Sequence, residues 1–379
     1  MRALASGQGL VISGSFDTRA IVWDAGKARQ VTRAHTGAVT AVVALSDGFA
    51  SGGQDGQVVI WGRGTTPLDL DRLHDGPVAA LALGPQGLAS GGWDGRIVVR
   101  GAVPQSFDAH QGQVTGLVAW GDGLASVGSD LKLRLWQNGA LAGVVGLTSP
   151  PTVLASDQTA LFVAGADGVL RRIVPGQGST PPVATERALS DRPLPVVALA
   201  VSKGVIAAAS ISGEVWILDA DTLTLRTRFD TAQGAVWALT FDGESLLTGG
   251  QDGLIRRWSR MGDPLGADPT PGKADGYDDG SRGAEVWRAC AVCHSLTPDD
   301  ASRAGPSLHG LFGRKIGTAP GYAYSEALRA LDIIWTPDSL SDLFALGPDA
   351  YTPGSRMPEQ RIPDAQDRAA LAAFLANHR

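Results

Sequence analysis

The sequence predicts two domains: an all-β array of seven repeats over residues 1–258 and an unlike domain over 278–379, with 259–277 as a linker. Three observations predict this. The length of 379 residues exceeds that of one ordinary domain. A unit of roughly forty residues recurs as far as Trp258 and then stops. Beyond it, Gly262, Pro264, Gly266, Pro269, Pro271, Gly272, Gly276 and Gly280 stand among scattered aspartates, which is a loop composition.

The repeats carry two marks. The first is an acidic turn residue six positions before a strand-ending aromatic: Asp17 and Trp23, Asp55 and Trp61, Asp130 and Trp136, Asp252 and Trp258. Three degenerate copies keep the spacing, Asp94 with Arg100, Asp167 with Ile173 and Ser212 with Leu218, which completes seven. The second mark is a histidine two residues before a glycine, at His35, His74 and His110. Each lies 20 residues before the turn aspartate and 16 before a serine, Ser51, Ser90 or Ser126. Alternating or apolar runs such as 39–45 and 57–61 lie between the marks and read as strands.

These marks resemble those of the WD-repeat family. The resemblance implies a β-propeller of seven four-stranded blades. It also implies that the His, Ser, Asp and Trp of one repeat form a buried hydrogen-bond network. Blades two and four hold the full set: His35, Ser51, Asp55, Trp61 and His110, Ser126, Asp130, Trp136. Such a network matters because a buried polar group left unpaired costs about 1–3 kcal/mol. The propeller histidines are thereby committed to structure rather than to a second metal. Residues 2–6, 10–16 and 19–23 read as the first strands of blade one, so the outer strand of blade seven must come from after Trp258, from 260–266. Trp93, Trp120, Trp216 and Trp237 fall outside the repeat's tryptophan position, and Trp93, beside the turn aspartate of blade three, is placed to reach a surface.

The second domain begins with a pentapeptide, Cys290-Ala291-Val292-Cys293-His294, that holds both cysteines of the chain. This is the C-x-x-C-H spacing of c-type haem attachment. Two thiols one helical turn apart can each add to a vinyl group of the same porphyrin, and the adjacent histidine then ligates the iron. A redox disulfide is disfavoured because no βαβ pattern precedes it. A zinc site lacks a second cysteine pair. The sixth ligand that raises the potential is methionine. Of Met1, Met261 and Met357, only Met357 follows the haem segment, in the turn-rich run 351–358.

Residues 280–379 resemble class I cytochrome c of the mitochondrial type and its bacterial relatives. The resemblance rests on the pentapeptide and on Gly305-Pro306-Ser307-Leu308-His309-Gly310-Leu311-Phe312-Gly313-Arg314-Lys315. It continues through Gly317, Gly321-Tyr322-Ala323-Tyr324-Ser325, Ile333-Ile334-Trp335, Pro353-Gly354-Ser355-Arg356-Met357 and Arg368-Ala369-Ala370-Leu371. It implies an all-α domain with one covalently attached haem c on Cys290 and Cys293, and with His294 and Met357 on the iron. It further implies that the Pro306 carbonyl accepts a hydrogen bond from the His294 ring. Arg314, Tyr324, Trp335 and Ser355 would hydrogen-bond or neutralise the haem propionates, and Tyr322 joins them in binding haem. Gly283 and Trp287 on the first helix would pack against Leu371 and Phe374 on the last. Three positions depart from the family: Phe344 replaces a tyrosine, Glu359 an aromatic at the haem edge, and Arg361 a glycine.

Charge bounds the partners. The family's lysine-rich docking surface is missing, for residues 278–379 hold 10 basic and 13 acidic residues and a single lysine, Lys315. The whole chain carries a formal charge of −6 without a basic cluster, which disfavours nucleic acid as a partner. No transmembrane segment is expected, since the longest apolar run, 196–211, is short and interrupted by Lys203. Residues 1–10 lack a signal-peptide pattern. Haem attachment in this family occurs outside the cytoplasm, so an export leader removed from or omitted upstream of this numbering is expected, with a periplasmic or equivalent location.

The leading functional expectation is therefore a single-electron carrier whose propeller docks it to a protein redox partner. An oxidoreductase whose propeller channel binds a small substrate is the alternative, but it rests on fold analogy, and no cofactor-ligand cluster occurs in 1–258. A haem sensor, working by exchange at Met357, is the third. Partner identity, the direction of electron flow, the potential and the oligomeric state are not encoded in any motif.

Overall fold

The computed structural model describes residues 1–157, 159–176, 182–191, 194–266, 279–291, 294–298, 305–322, 324–353, 355, 357 and 361–378, with only the backbone at 288, 289 and 349. The chain divides into two compact units, Met1–Gly266 and Ala267–Arg379.

The first unit is a seven-bladed propeller. Seven sheets each hold four strands in sequence order, with every neighbouring pair antiparallel. Blade two shows why the repeat folds this way. Its strands are Val39–Leu45, Gly48–Gly53, Gln57–Trp61 and Pro67–Arg72. The turn between the second and third strands is held by Asp55, whose carboxylate accepts the Gln57 N–H at 3.1 Å. Gly56 follows at φ 77°, and a Cβ there would sit 2.3 Å from the His74 carbonyl, so only glycine fits. The side chains between blades are apolar, and Trp61, Trp216, Phe49 and Phe162 are among the largest that are fully buried. Each such side chain contributes about 1.5–3 kcal/mol of transfer free energy.

The first strands of the blades neighbour one another in a closed ring around the central channel. Blade seven takes all four strands from its own segment: Val236–Asp242, Ser245–Gly250, Ile255–Trp258 and the two-residue strand Pro264–Leu265, which pairs with Arg257 and Trp258. The ring closes against the first strand of blade one, Ala3–Gly7, without strand exchange. The Met1 nitrogen donates to the Gly250 carbonyl at 3.1 Å, and the Ser6 hydroxyl donates to that of Phe241.

The hydrogen-bond networks of blades two, three and four are present. In blade two the His35 Nδ1–H donates to Asp55 at 3.1 Å, Nε2 meets the Ser51 hydroxyl at 2.8 Å, and the Trp61 indole donates to Ser51 at 2.8 Å. Blade four repeats this with His110, Asp130, Ser126 and Trp136, each contact at 2.8 Å. Blade three keeps His74, Asp94 and Ser90, but Arg100 stands in the tryptophan place and pairs with Asp69 and Asp71 of blade two. Blade seven holds a fourth network that the histidine pattern does not announce. Gln233 donates to Asp252 at 3.1 Å and accepts from Thr248, and the Trp258 indole donates to Thr248 at 3.0 Å.

The second unit has five helices among the described residues: α1 (Arg282–Cys290), α2 (Glu326–Ala330), α3 (Pro337–Leu346), α4 (Pro348–Tyr351) and α5 (Ala365–Ala376). Ser281, Ser325, Thr336 and Asp364 cap α1, α2, α3 and α5 with side-chain oxygens. The described residues 305–322, 324 and 325 are not helical; they include several turns and are tied to the chain ahead of α3 by an isolated bridge, Lys315 with Ile334. Helices α1 and α5 cross closely at Gly283, where a Cβ would lie 2.3 Å from the Ala370 carbonyl and 2.5 Å from the Phe374 Cβ. The Trp287 and Phe374 rings pack at 6.2 Å, and Leu371 is buried in the same core. Arg282 spans the crossing with a two-pronged contact to Asp367, at 2.7 and 2.9 Å.

Among the described residues no helix is long and apolar enough to cross a membrane.

Candidate haem site

The end of α1 delivers the site. Ala291 caps the helix in a helical conformation, and the His294 N–H donates to the Cys290 carbonyl at 2.9 Å, which ties His294 to the last turn of the helix. Cys290 is buried in the core that joins α1, α3 and α5. Cys293 lies outside the described residues.

His294 is oriented from one side. Its Nδ1–H donates to the Pro306 carbonyl at 2.8 Å, which fixes the tautomer that leaves the Nε2 lone pair available. Among the described residues Nε2 has no hydrogen-bond partner. Burial lowers the pKa of the ring below its usual 6.5, against the opposing effect of the Pro306 hydrogen bond, and so favours the neutral, ligating form. The ring also lies against the Gly305 backbone, where a Cβ would come within 2.5 to 2.9 Å of its Cε1, Nδ1 and Nε2 atoms. A glycine before Pro306 is therefore part of the cradle. The signal for it was present in the sequence as Gly305, but its reason is the crowding of the ring, which no spacing reveals.

The loop that carries Pro306 is braced by Arg314. Its guanidinium donates to the carbonyls of His309 at 3.1 Å and Ser307 at 2.6 Å. Burial lowers the Arg314 pKa, and it raises that of the Tyr324 hydroxyl; the two groups feel each other's charge. The Tyr322 and Tyr324 rings meet edge-on at 4.7 Å. Trp335 reaches the same region through its backbone, donating to the Arg314 carbonyl at 3.0 Å and accepting from Gly313 at 2.8 Å. Arg314, Tyr322, Tyr324 and Trp335 are thus brought together. Their local contacts are with protein atoms, and the contacts of the Arg314 guanidinium brace the loop.

Ser355 is set differently. Its hydroxyl accepts the Met357 N–H at 3.0 Å and thereby shapes the loop that presents Met357. Met357 is partly buried against the apolar core that also contains Cys290, with Leu308, Phe312, Trp335, Tyr351 and Ile362 at its edge. Phe344 is buried in that core, Arg361 is exposed, and Glu359 lies outside the described residues. The donor set fits a haem c: a buried thiol, an imidazole with its outer nitrogen available, and a thioether on the same apolar core.

Comparison with known proteins agrees with this division. The cytochrome c family model matches residues 280–379, and the WD domain, G-beta repeat, model matches 26–62 and 223–259. Cytochrome c of Sesamum indicum is 42% identical over 94 residues, covering 24% of this chain and 84% of that protein. Cytochrome c of Gibberella zeae is 38% identical over 95 residues, 25% of this chain and 89% of that protein. The crystal structure of the computationally designed Ika8 protein superposes with a TM-score of 0.54 at 24% identity, covering 68% of this chain and 82% of that one, a likeness of fold alone. Through residues 280–379, which follow a seven-bladed propeller of WD repeats, this chain belongs to the cytochrome c family.

Proposed function

We propose that the protein is an electron carrier that holds one haem c on Cys290 and Cys293, with His294 and Met357 as axial ligands, and that the propeller docks it to a protein redox partner. Membership of the cytochrome c family supports haem-based electron transfer. The observation that carries the reading is the His294 ring, held at Nδ1 by Pro306 with Nε2 left without a protein partner among the described residues. A bound haem would supply one-electron redox chemistry at its iron. The protein's part is to keep the imidazole neutral and oriented, to hold the Met357 loop through Ser355, and to exclude water with an apolar core in the all-α arrangement of the family. We place the protein in the periplasm or an equivalent compartment, where such attachment occurs.

Docking is favoured over substrate oxidation by the character of the propeller. A cavity of about 350 Å³ along the inner strands of blades four to seven is lined by Leu154, Leu199, Leu239 and Phe241 with Ser156 and Thr240, and no titratable side chain lines it. On the face formed by the turns between second and third strands, Trp93 is 49% exposed, Ile211 40% and Leu131 37%. Exposed aromatic and aliphatic side chains on one rim suit a protein contact.

The test is stopped-flow reduction of the haem in the full chain and in the fragment 278–379, using fractionated redox proteins of the native source. Docking predicts a fraction that reduces the full chain faster than the fragment, by at least roughly tenfold through raised effective concentration. Equal rates with every fraction would overturn it.

A further inference from the structure

Six of the seven inner strands carry a one-residue bulge near their start. The bulged residues are Thr40, Ala79, Thr115, Thr152, Val197 and Trp237. Arg2 holds the corresponding place in blade one, because Ala3 opposes Gly14 as Ala41 opposes Gly52. Bulges re-aim side chains, and these seven positions circle one mouth of the channel, on the face that also carries Trp93, Leu131 and Ile211. Thr40, Thr115 and Thr152 satisfy their hydroxyls on backbone carbonyls of their own blades.

Arg2 is not satisfied in this way. Its guanidinium makes one long hydrogen bond, 3.5 Å to the Trp237 carbonyl, and stands over the Trp237 ring at 5.8 Å from the centroid. Among the described residues no carboxylate pairs with it, and burial lowers its pKa with nothing opposing. Other poorly exposed arginines of the propeller are matched: Arg134 by Asp130, Arg171 by Asp167 and Glu186, Arg256 by Asp252. A guanidinium taken largely out of water without a counter-charge is costly. Arg2 and Trp237 both keep part of their surface open to solvent, so an outside group can reach them.

We propose that Arg2 and Trp237 form a carboxylate-binding site at this mouth of the propeller channel. The guanidinium presents a two-pronged donor edge that matches a carboxylate, and the indole face shields the pair from water. The carboxylate could belong to a small acid or to an acidic residue of a bound protein. The site goes beyond the docking reading, and its test uses neither a redox partner nor the haem signal.

The test is calorimetric titration of the full haem-loaded chain with glutarate and, separately, with a blocked glutamate-rich peptide, at low and high salt. Binding of both acids identifies a site that a small carboxylate fills; binding of the peptide alone assigns it to a partner's acidic segment. Either is expected to weaken with salt and to fall roughly tenfold or more in Arg2→Met. Trp237→Leu, which keeps the charge, weakens it less. Without ligand, Arg2→Met should unfold at the wild-type temperature or above, because it removes an uncompensated charge, and carboxylate should raise only the wild-type temperature. Failure of wild type to bind either acid, or wild-type affinity in both variants, overturns the proposal. So does a lower ligand-free unfolding temperature in Arg2→Met, which would make Arg2 a packing residue.

Discussion

The three propeller histidines and His294 are each held through Nδ1 and are left with different outcomes at the other nitrogen. In the propeller, His35, His74 and His110 each give Nδ1–H to an aspartate, and each Nε2 meets a serine hydroxyl at 2.8 Å. In the second unit His294 gives Nδ1–H to the Pro306 carbonyl and finds no protein partner for Nε2 among the described residues. The first three rings are saturated braces. The fourth is fixed in orientation while keeping its outer lone pair for a ligand. What sets His294 apart from the three propeller braces is therefore the second nitrogen, not burial or the first contact.

The saturated side of the comparison breaks most strongly at the serine. Ser51→Ala removes the acceptor of the Trp61 indole and the partner of His35 Nε2 together, and each orphaned buried group costs about 1–3 kcal/mol. Chemical denaturation of the full chain should show that loss in the propeller transition while the haem spectrum stays as in wild type. The open side breaks at Gly305. Gly305→Ala places a methyl against the His294 ring, which must shift off Pro306 at a cost of about 1–3 kcal/mol. Its readout is a partial loss of the low-spin haem spectrum together with earlier unfolding of the second unit.

The smallest effect concerns pH and separates one brace from another. Burial lowers the His110 pKa below 6.5, more than Asp130 raises it, with the Arg134 charge adding to the lowering. The unfolded chain then takes up this proton first, so the contribution of His110 is complete above about pH 6.5 and is lost as pH falls from there toward the lowered value. Burial raises the carboxyls of Asp55, Asp94 and Asp130, but their histidine and backbone partners together hold them below 3.8; their contribution is lost only as pH falls below 3.8. His110→Gln should flatten the upper window of the stability profile and leave the lower one, since Gln233 shows that an amide can occupy this place.

Much of this was legible in the sequence because repeats and the haem pentapeptide put their residues at fixed spacings. The blade-two and blade-four networks followed from His, Ser, Asp and Trp at constant offsets. Blade seven did not, for its residue types change to Gln and Thr, and Gln233 lies 19 residues before Asp252 rather than 20. The hydrogen bonds survive because the amide and the threonine hydroxyl supply the same donor and acceptor in the same order. The crowding that requires Gly305, the loop-bracing carbonyl contacts of Arg314 and the unmatched charge of Arg2 depend on what approaches from elsewhere in the chain, so pattern alone could not find them.

Everything proposed for the second unit turns on ligation of one haem by both His294 and Met357. The most direct measurement is the optical spectrum of the reduced full chain at neutral pH with and without carbon monoxide, for wild type and Met357→Ala. A six-coordinate low-spin wild type that ignores carbon monoxide, beside a Met357→Ala variant that binds it, is the predicted result. A wild type that takes up carbon monoxide freely, or a Met357→Ala variant with an unchanged spectrum, would contradict it.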